Sequence, residues 1–399
     1  MKIKIRPSNI VWYIAILPFL FPAGFAEYFP TYKKFRVTIL GIATAIIIVR
    51  EIYLLALKKG KMAVSTPLIS IILYHVVLLM TTISTQGSIT QGLQKIFIAP
   101  ALCILLDECC RTGLKDVINV ICNLLIPIFA LNLVVFNQWI FPSYFLVSNH
   151  IMFIGHVQVA AEIGIFGILV AYIEYNYGIH KYKSIILVIL SLMTMIYSET
   201  SGSYLGVFLI AAFLILKKID GVKKIICRHE CALFVALTVI SIIVINIQST
   251  PIYKKYGVII TALSAGRTFI WKQGLNLFNV KPVFGYGAYG VLIKVFWSAW
   301  SDNKLGFNYA HSTILQLLLD GGIVLASIFF IMVILYIQSE DKRLRNANIK
   351  YISHVLLLVF LFIGVFESLT EYYYIFMFLS ILPFLYKIDK DKKLCANCK

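Results

Sequence analysis

Uncharged apolar runs recur along this chain at a length and density that no soluble core requires. Leu124–Phe136, Ser184–Tyr197 and Leu233–Ile247 contain no Asp, Glu, Lys or Arg. With their flanks, several such runs reach the ~20 residues needed to cross the hydrocarbon of a bilayer. Of the 399 residues, 60% are hydrophobic and 14% charged, against about 45–50% and 25% in an ordinary soluble protein. A transmembrane barrel alternates polar and apolar residues at every second position, and these runs do not. The chain is therefore expected to be an all-α integral membrane protein.

Hydropathy suggests about twelve transmembrane helices, near 10–29, 37–57, 64–83, 93–110, 117–136, 151–173, 184–198, 203–217, 231–247, 312–337, 351–368 and 371–386. Residues 1–247 then hold nine helices, 248–311 one large external loop, 312–386 three more helices and 387–399 a cytoplasmic tail. Orientation follows from alternate connections rich in Lys and Arg, such as Lys58, Lys59 and Lys61, or Lys342, Arg343, Arg345 and Lys350. The connections between them, including 84–92, 137–149 and 367–371, have none. The positive-inside rule then puts both termini in the cytoplasm; Lys33, Lys34 and Arg36 are the exception, in the first external connection. The N-terminal Lys2, Lys4 and Arg6 before an apolar stretch resemble a signal peptide without a cleavage site, read as an uncleaved first helix. The net charge of +18 is explained by these loops, and no nucleic-acid partner is expected. All eight cysteines fall on the cytoplasmic side of this topology, so no external disulfide is expected.

The loop at 248–310 breaks the charge rule, with Lys254, Lys255, Arg267, Lys272, Lys281, Lys294 and Lys304 against one acid, Asp302. Loops of about 60 residues translocate despite charge, and cations above a membrane suit either a phosphorylated lipid or anionic headgroups in general. An amphipathic stretch starts at Gly266-Arg267 and ends near Phe278; its Trp271 and Phe278 suggest a segment lying along the membrane surface. Arg267 is the residue whose planar fork grips two phosphate oxygens at once, with Lys272 and Lys281 as further cations. Pro282 stops this helix, and Gly285, Gly287 and Gly290, with Tyr286 between the first two, permit close backbone approach to a ligand. The interleaved aromatics suit sugar stacking and an interfacial belt equally. His311, where the loop meets the tenth span, is a proton acceptor near neutral pH or a hydrogen-bonded helix-start residue. Glu199 and His150, in external connections, are candidate acceptor-binding groups. Asp320, inside the tenth span, is read as structural, and His75 and His354 as ordinary partners within the bundle.

Arg267 with Trp271, the turn Pro282-x-x-Gly285-x-Gly287, and Ala310-His311-Ser312-x-x-Leu315-Gln316-x-x-x-Asp320-Gly321-Gly322 together resemble the O-antigen ligase and repeat-unit polymerase superfamily. The resemblance covers roughly residues 195–335 in order and spacing. It implies a GT-C-like glycosyltransferase bundle in the bacterial cytoplasmic (inner) membrane with its active site on the external face. The implied reaction is inverting, metal-independent and cofactor-free transfer of a glycan from undecaprenyl diphosphate to a hydroxyl. Arg267 would hold the diphosphate, and His311 would activate the acceptor or orient the donor. The lipid-linked oligosaccharide, membrane lipids, a flippase and a chain-length regulator are the implied partners. Members often carry a further arginine after a Ser/Thr-rich turn, but here that place reads Ser198-Glu199-Thr200-Ser201-Gly202-Ser203. This departure favours a polymerase of repeat units over a ligase that passes polymer to lipid A–core. A secondary transporter is the competing class; those are built of repeated halves, and no such symmetry is visible. No His, Asp and Glu group has metal-ligand spacing along the sequence, so no metal is expected.

Overall fold

A computed structural model describes residues 7–57, 65–85, 87–135, 151–178, 180–264, 266–291 and 309–397. Those residues form a helical bundle whose single ladder is a two-residue hairpin pairing Ile151 with His156 and Met152 with Gly155. The longer helices are α1 (Pro7–Leu20), α2 (Pro30–Leu57), α3 (Thr66–Ser84), α4 (Ala99–Val134), α5 (Val159–Tyr177), α6 (Lys181–Tyr197) and α7 (Ser201–Leu216). They are followed by α8 (Asp220–Arg228), α9 (Glu230–Ile245), α10 (Pro251–Leu263), α11 (Arg267–Val280), α12 (Thr313–Arg343), α13 (Ala347–Ile363), α14 (Tyr374–Ile381) and α15 (Tyr386–Asn397). The most extensive helix pairings are α5 with α6 and α3 with α12.

Five described helical stretches are long and apolar enough to cross a membrane, or six if α8 and α9, bent by 81° at their joint, count as one. Twelve crossings is more than helix length and composition support here. The difference has three sources. Several expected spans, such as α7 with 16 residues and α13 with 17, fall short of a full crossing. The stretch Ile89–Val134 is a single run of 46 residues, at 1.5 Å per residue about 69 Å, twice the hydrocarbon thickness. It breaks at Gly113 (φ −162°, ψ 77°), where Lys387 Nζ donates to the carbonyls of Cys110 and Arg111 at 3.0 and 2.6 Å. The last expected span is the eight-residue α14, buried on all sides and followed by a 3-10 turn.

One of the three exceptional cations in the first hairpin has a structural role. Arg36 in α2 donates from Nε to the carbonyl of Phe21, 3.2 Å away just beyond α1, so this cation caps a helix end rather than standing in a free loop. Much of the described part of the expected loop is helical. Residues 251–263 and 267–280 are helices, and α10 leaves Val258 88% and Leu263 82% exposed, an apolar surface the sequence reading took for extramembrane loop.

α12 is not a continuous helix. Gly321 (φ −151°, ψ 17°) and Gly322 (φ 64°, ψ −161°) interrupt it, which frees two carbonyls above the break and two N–H groups below. Irregular backbone at membrane depth survives only where the protein itself satisfies it. The turn after α11 does so: Tyr286 N donates to Leu319 O (2.7 Å) and Gly287 N to Asp320 O (2.9 Å). In return Ile323 N donates to Pro282 O (2.8 Å) and Val324 N to Val283 O (3.3 Å). The two sequence motifs, Pro-x-x-Gly-x-Gly and Asp-Gly-Gly, are two halves of one joint.

Candidate functional site

Arg267 opens α11, Gln158 precedes α5, His311 precedes α12 and Glu367 follows α13. The fold brings all four together. Arg267 Nη2 donates to Glu367 Oε1 at 2.6 Å, and Glu367 Oε2 lies 3.3 Å from His311 Nδ1. The Gln158 amide nitrogen lies 3.3 Å from the same ring atom. A carboxylate only accepts and an amide nitrogen only donates, so the two contacts ask for opposite tautomers; with Nδ1 donating to Glu367, the basic lone pair is on Nε2. Burial lowers the His311 pKa below its ordinary value; Glu367 opposes that fall and Arg267 adds to it. The ring is therefore held neutral and basic at pH 7.

The backbone at His311 is strained. Its φ of +49° is the left-handed region, which costs a residue with a side chain about 1–3 kcal/mol. Neighbouring contacts fix it there. Trp271 Nε1 donates to His311 O (3.2 Å), Ala310 N to Gln316 Oε1 (2.8 Å) and Thr313 N to Gly364 O (2.9 Å). Thr313 Oγ1 also donates to Glu367 O (2.8 Å), which ties the site histidine to its carboxylate partner through the main chain.

A second, largely buried network adjoins the first. Lys95 sits in a π-helical turn at Gln94–Ile98, a distortion often found at functional sites. Its Nζ donates to Asp320 Oδ2 at 3.0 Å and to Glu371, and Tyr289 OH donates to Glu371 Oε2 at 2.9 Å. Gln316 Nε2 donates to Asp320 Oδ1 at 2.8 Å while its oxygen accepts from Ala310 N. This chain of contacts connects Lys95 to the backbone beside His311. Glu162, in the first turn of α5, lies within electrostatic reach of Glu367 and Glu371, and its Oε2 is buried without a hydrogen-bond partner.

The other expected binding residues have varied surroundings. Trp271 is 2% exposed and faces the protein beneath His311, not a membrane surface. Gly285 and Gly287 make their close approaches to the chain itself: a Cβ on Gly285 would lie 2.5 Å from Leu319 O, and one on Gly287 2.7 Å from Thr82 Cα. Tyr286 is buried, donating its hydroxyl to Leu277 O at 2.9 Å, with Lys281 Nζ 4.8 Å above its ring. Lys272 and Glu199 are exposed. His150 and the aromatics Trp297, Trp300 and Phe307 lie outside the described residues.

The sequence reading gave no role to Gln158 or Glu162 and missed Lys95, Glu367 and Glu371. Signals for them exist. Lys95 is a lone cation at the head of an apolar run, and an intramembrane charge is a functional candidate by default. Glu367 and Glu371 place two of the chain's 18 acids in one short connection without Lys or Arg.

Residues 186–330 match the family model described as O-Antigen ligase. Over 204 residues the chain is 30% identical to a protein of Rickettsia conorii whose name provisionally makes it a polysaccharide ligase, with 46% of each chain covered. The chain thus spans about half the length of that curated relative. The matched segment holds α11, the glycine turn, His311 and the break in α12, while Lys95, Glu367 and Glu371 lie outside it. Over residues 186–330 the chain is thus similar to the O-antigen ligase family, the segment that carries Arg267, the glycine turn and His311.

Proposed function

We propose that this protein transfers a glycan from a polyprenyl-diphosphate carrier to a hydroxyl acceptor at the external face of a bacterial cytoplasmic membrane. The observation that carries the reading is the meeting of Arg267 and His311 on the single carboxylate of Glu367. Glu367 occupies one terminal nitrogen of the guanidinium, and the fork is the group suited to a diphosphate. Nε2 of the neutral imidazole accepts the proton of the acceptor hydroxyl as its oxygen attacks the anomeric carbon. The bond from that carbon to the diphosphate breaks with inversion, and the polyprenyl diphosphate leaves as the stable anion held by Arg267, without a metal. An apolar groove of about 390 Å³ runs beside the site, lined by Phe234, Thr238 and Ile242 of α9 and Ile314, Ile323 and Phe330 of α12. It suits the lipid tail of such a donor.

The acceptor in this proposal is a second lipid-linked repeat unit, with a flippase and a chain-length regulator as working partners, because the Ser198–Ser203 connector lacks the further arginine. The names carried by the family and by the Rickettsia relative favour the second reading, a ligase. Reconstituted protein supplied with a polyprenyl-diphosphate oligosaccharide tests the site. His311→Ala and Arg267→Ala should each abolish elongation while membrane insertion stays normal, and unchanged product from either would overturn the assignment. Gene deletion separates the readings: single-repeat glycan marks a polymerase, and accumulated lipid-linked polymer a ligase.

A further inference from the structure

We propose that Glu230, Asp341 and His354 form a divalent-cation site at the end of α12 remote from His311. The three residues come from different helices. Glu230 opens α9 directly after the 81° joint with α8, Asp341 lies in the last turn of α12, and His354 in the second turn of α13. His311 precedes the first turn of α12, so about 40 Å of helix path separates the two sites. One ligand atom from each residue lies within 4.8 Å of the other two.

His354 decides the chemistry. Its side chain is fully buried, and Nε2 lies 2.7 Å from Glu230 Oε2, 3.4 Å from Asp341 Oδ1 and 4.0 Å from Glu340 Oε2. Nε2, both Glu230 oxygens and Glu340 Oε2 are buried with no hydrogen-bond partner outside this cluster, and Asp341 Oδ1 has one cation beside it, Lys350 Nζ. On the other side of the ring Nδ1 lies 3.4 Å from Ile226 O. A carbonyl only accepts, so Nδ1 carries the proton, and in the neutral ring the Nε2 lone pair points at three carboxylates. Such an arrangement of acceptors is repulsive in a dry environment unless a cation stands between them. A second ring proton can serve one oxygen, whereas a metal ion serves all of them at once.

Distances and charge agree with a metal. Ligands bonded at about 2.0–2.2 Å to one ion stand roughly 3 Å apart, and the separations of 2.7 and 3.4 Å bracket that value. Lys350 Nζ lies 2.7 Å from Asp341 Oδ1, and Ser353 Oγ donates to the other oxygen of Glu340. Three carboxylates and one lysine leave two negative charges, which a divalent ion neutralises. The Nδ1 contact to Ile226 O is the outer-sphere hydrogen bond that ligating histidines usually make. One imidazole with carboxylates suits Zn²⁺, Mn²⁺ or Fe²⁺. The ion would pin the α8–α9 elbow to α12 and α13, a structural task distinct from glycan transfer.

The test uses the full chain, purified in detergent through a tag without histidines. Elemental analysis should find about one divalent metal ion per chain. Chelation should lower the melting temperature, and Zn²⁺ or Mn²⁺ should restore it. Co²⁺ added to the stripped protein should give visible d–d absorption, a readout independent of activity. Asp341→Asn keeps the side-chain shape and should weaken binding by roughly 10–100-fold, the loss that even an outer-shell partner causes; His354→Phe should remove binding. A stripped protein whose melting temperature and absorption ignore Zn²⁺, Mn²⁺ and Co²⁺ overturns the proposal and leaves a protonated imidazole paired with Glu230.

Discussion

Replacing Gly322 by alanine tests the joint on which the site is built. At φ 64° and ψ −161° this residue occupies a region open essentially to glycine alone, so a side chain adds about 1–3 kcal/mol of backbone strain. Space is also missing. A Cβ would lie 2.2 Å from Val283 O, 2.3 Å from Val283 C and 2.6 Å from Phe284 N, all of them backbone atoms that cannot rotate away. Relief requires the turn to retreat, which breaks the bonds from Ile323 N to Pro282 O and from Val324 N to Val283 O, each worth roughly 1 kcal/mol. The sum is about 3–5 kcal/mol. Gly41 in α2 is the control, because a Cβ there meets nothing within 4 Å, and alanine in a helix interior gains up to about 1 kcal/mol over glycine. Unfolding of the two variants in detergent should show Gly322→Ala melting several degrees below wild type and Gly41→Ala at or slightly above it. If the two variants melt together, the broken-helix joint does not hold the structure as described.

Lys95→Met leaves Asp320 and Glu371 buried without their cation and should destabilise by about 3–5 kcal/mol; adding Asp320→Asn and Glu371→Gln should recover most of that loss, and a triple variant no better than the single one refutes the pairing. In the proposed mechanism His311 acts unprotonated, and burial holds its pKa below the ordinary value. Transfer should thus be flat through neutral pH and fall only on acidification below about 6.5. Glu367→Gln removes the carboxylate that favours the protonated ring, so the acid limb in kcat/KM should move to lower pH, and a shift upward would contradict the assigned geometry. Trp271→Phe keeps the buried ring but deprives His311 O of its donor. It should lower kcat with little change in KM, read by elongation at saturating and limiting donor.

Local signals in the sequence found the pieces of the site but not their partners. Arg267 to Phe278 was legible because amphipathic spacing followed a glycine and ended before Pro282, and α11 spans 267–280. His311 was legible because it stands at the change from polar to apolar sequence. What escaped was pairing over distance. Lys95 meets Asp320 and Glu371 across 225 and 276 residues of chain, and Arg267 meets Glu367 across 100. No periodicity reports such contacts. The glycines at 285 and 287 were read as sites of close approach to a ligand; in the structure Gly285 closes on the unwound backbone of α12 and Gly287 on the end of α3. Trp271 looked interfacial because its residue type is common at both interfaces and cores, and only the carbonyl of His311 decides between them.

The wide separation of Lys95 from its acidic partners sets a problem for biogenesis. At about 5–20 residues per second, the ribosome completes this lysine some 10–50 s before Asp320, which lies 225 residues downstream, and longer before Glu371. During that interval the nascent chain holds a cation destined for the bundle interior with neither counter-charge yet made. Its ammonium must wait at the headgroups or in water, and the early helices can close around it only once the last quarter of the protein has been translated.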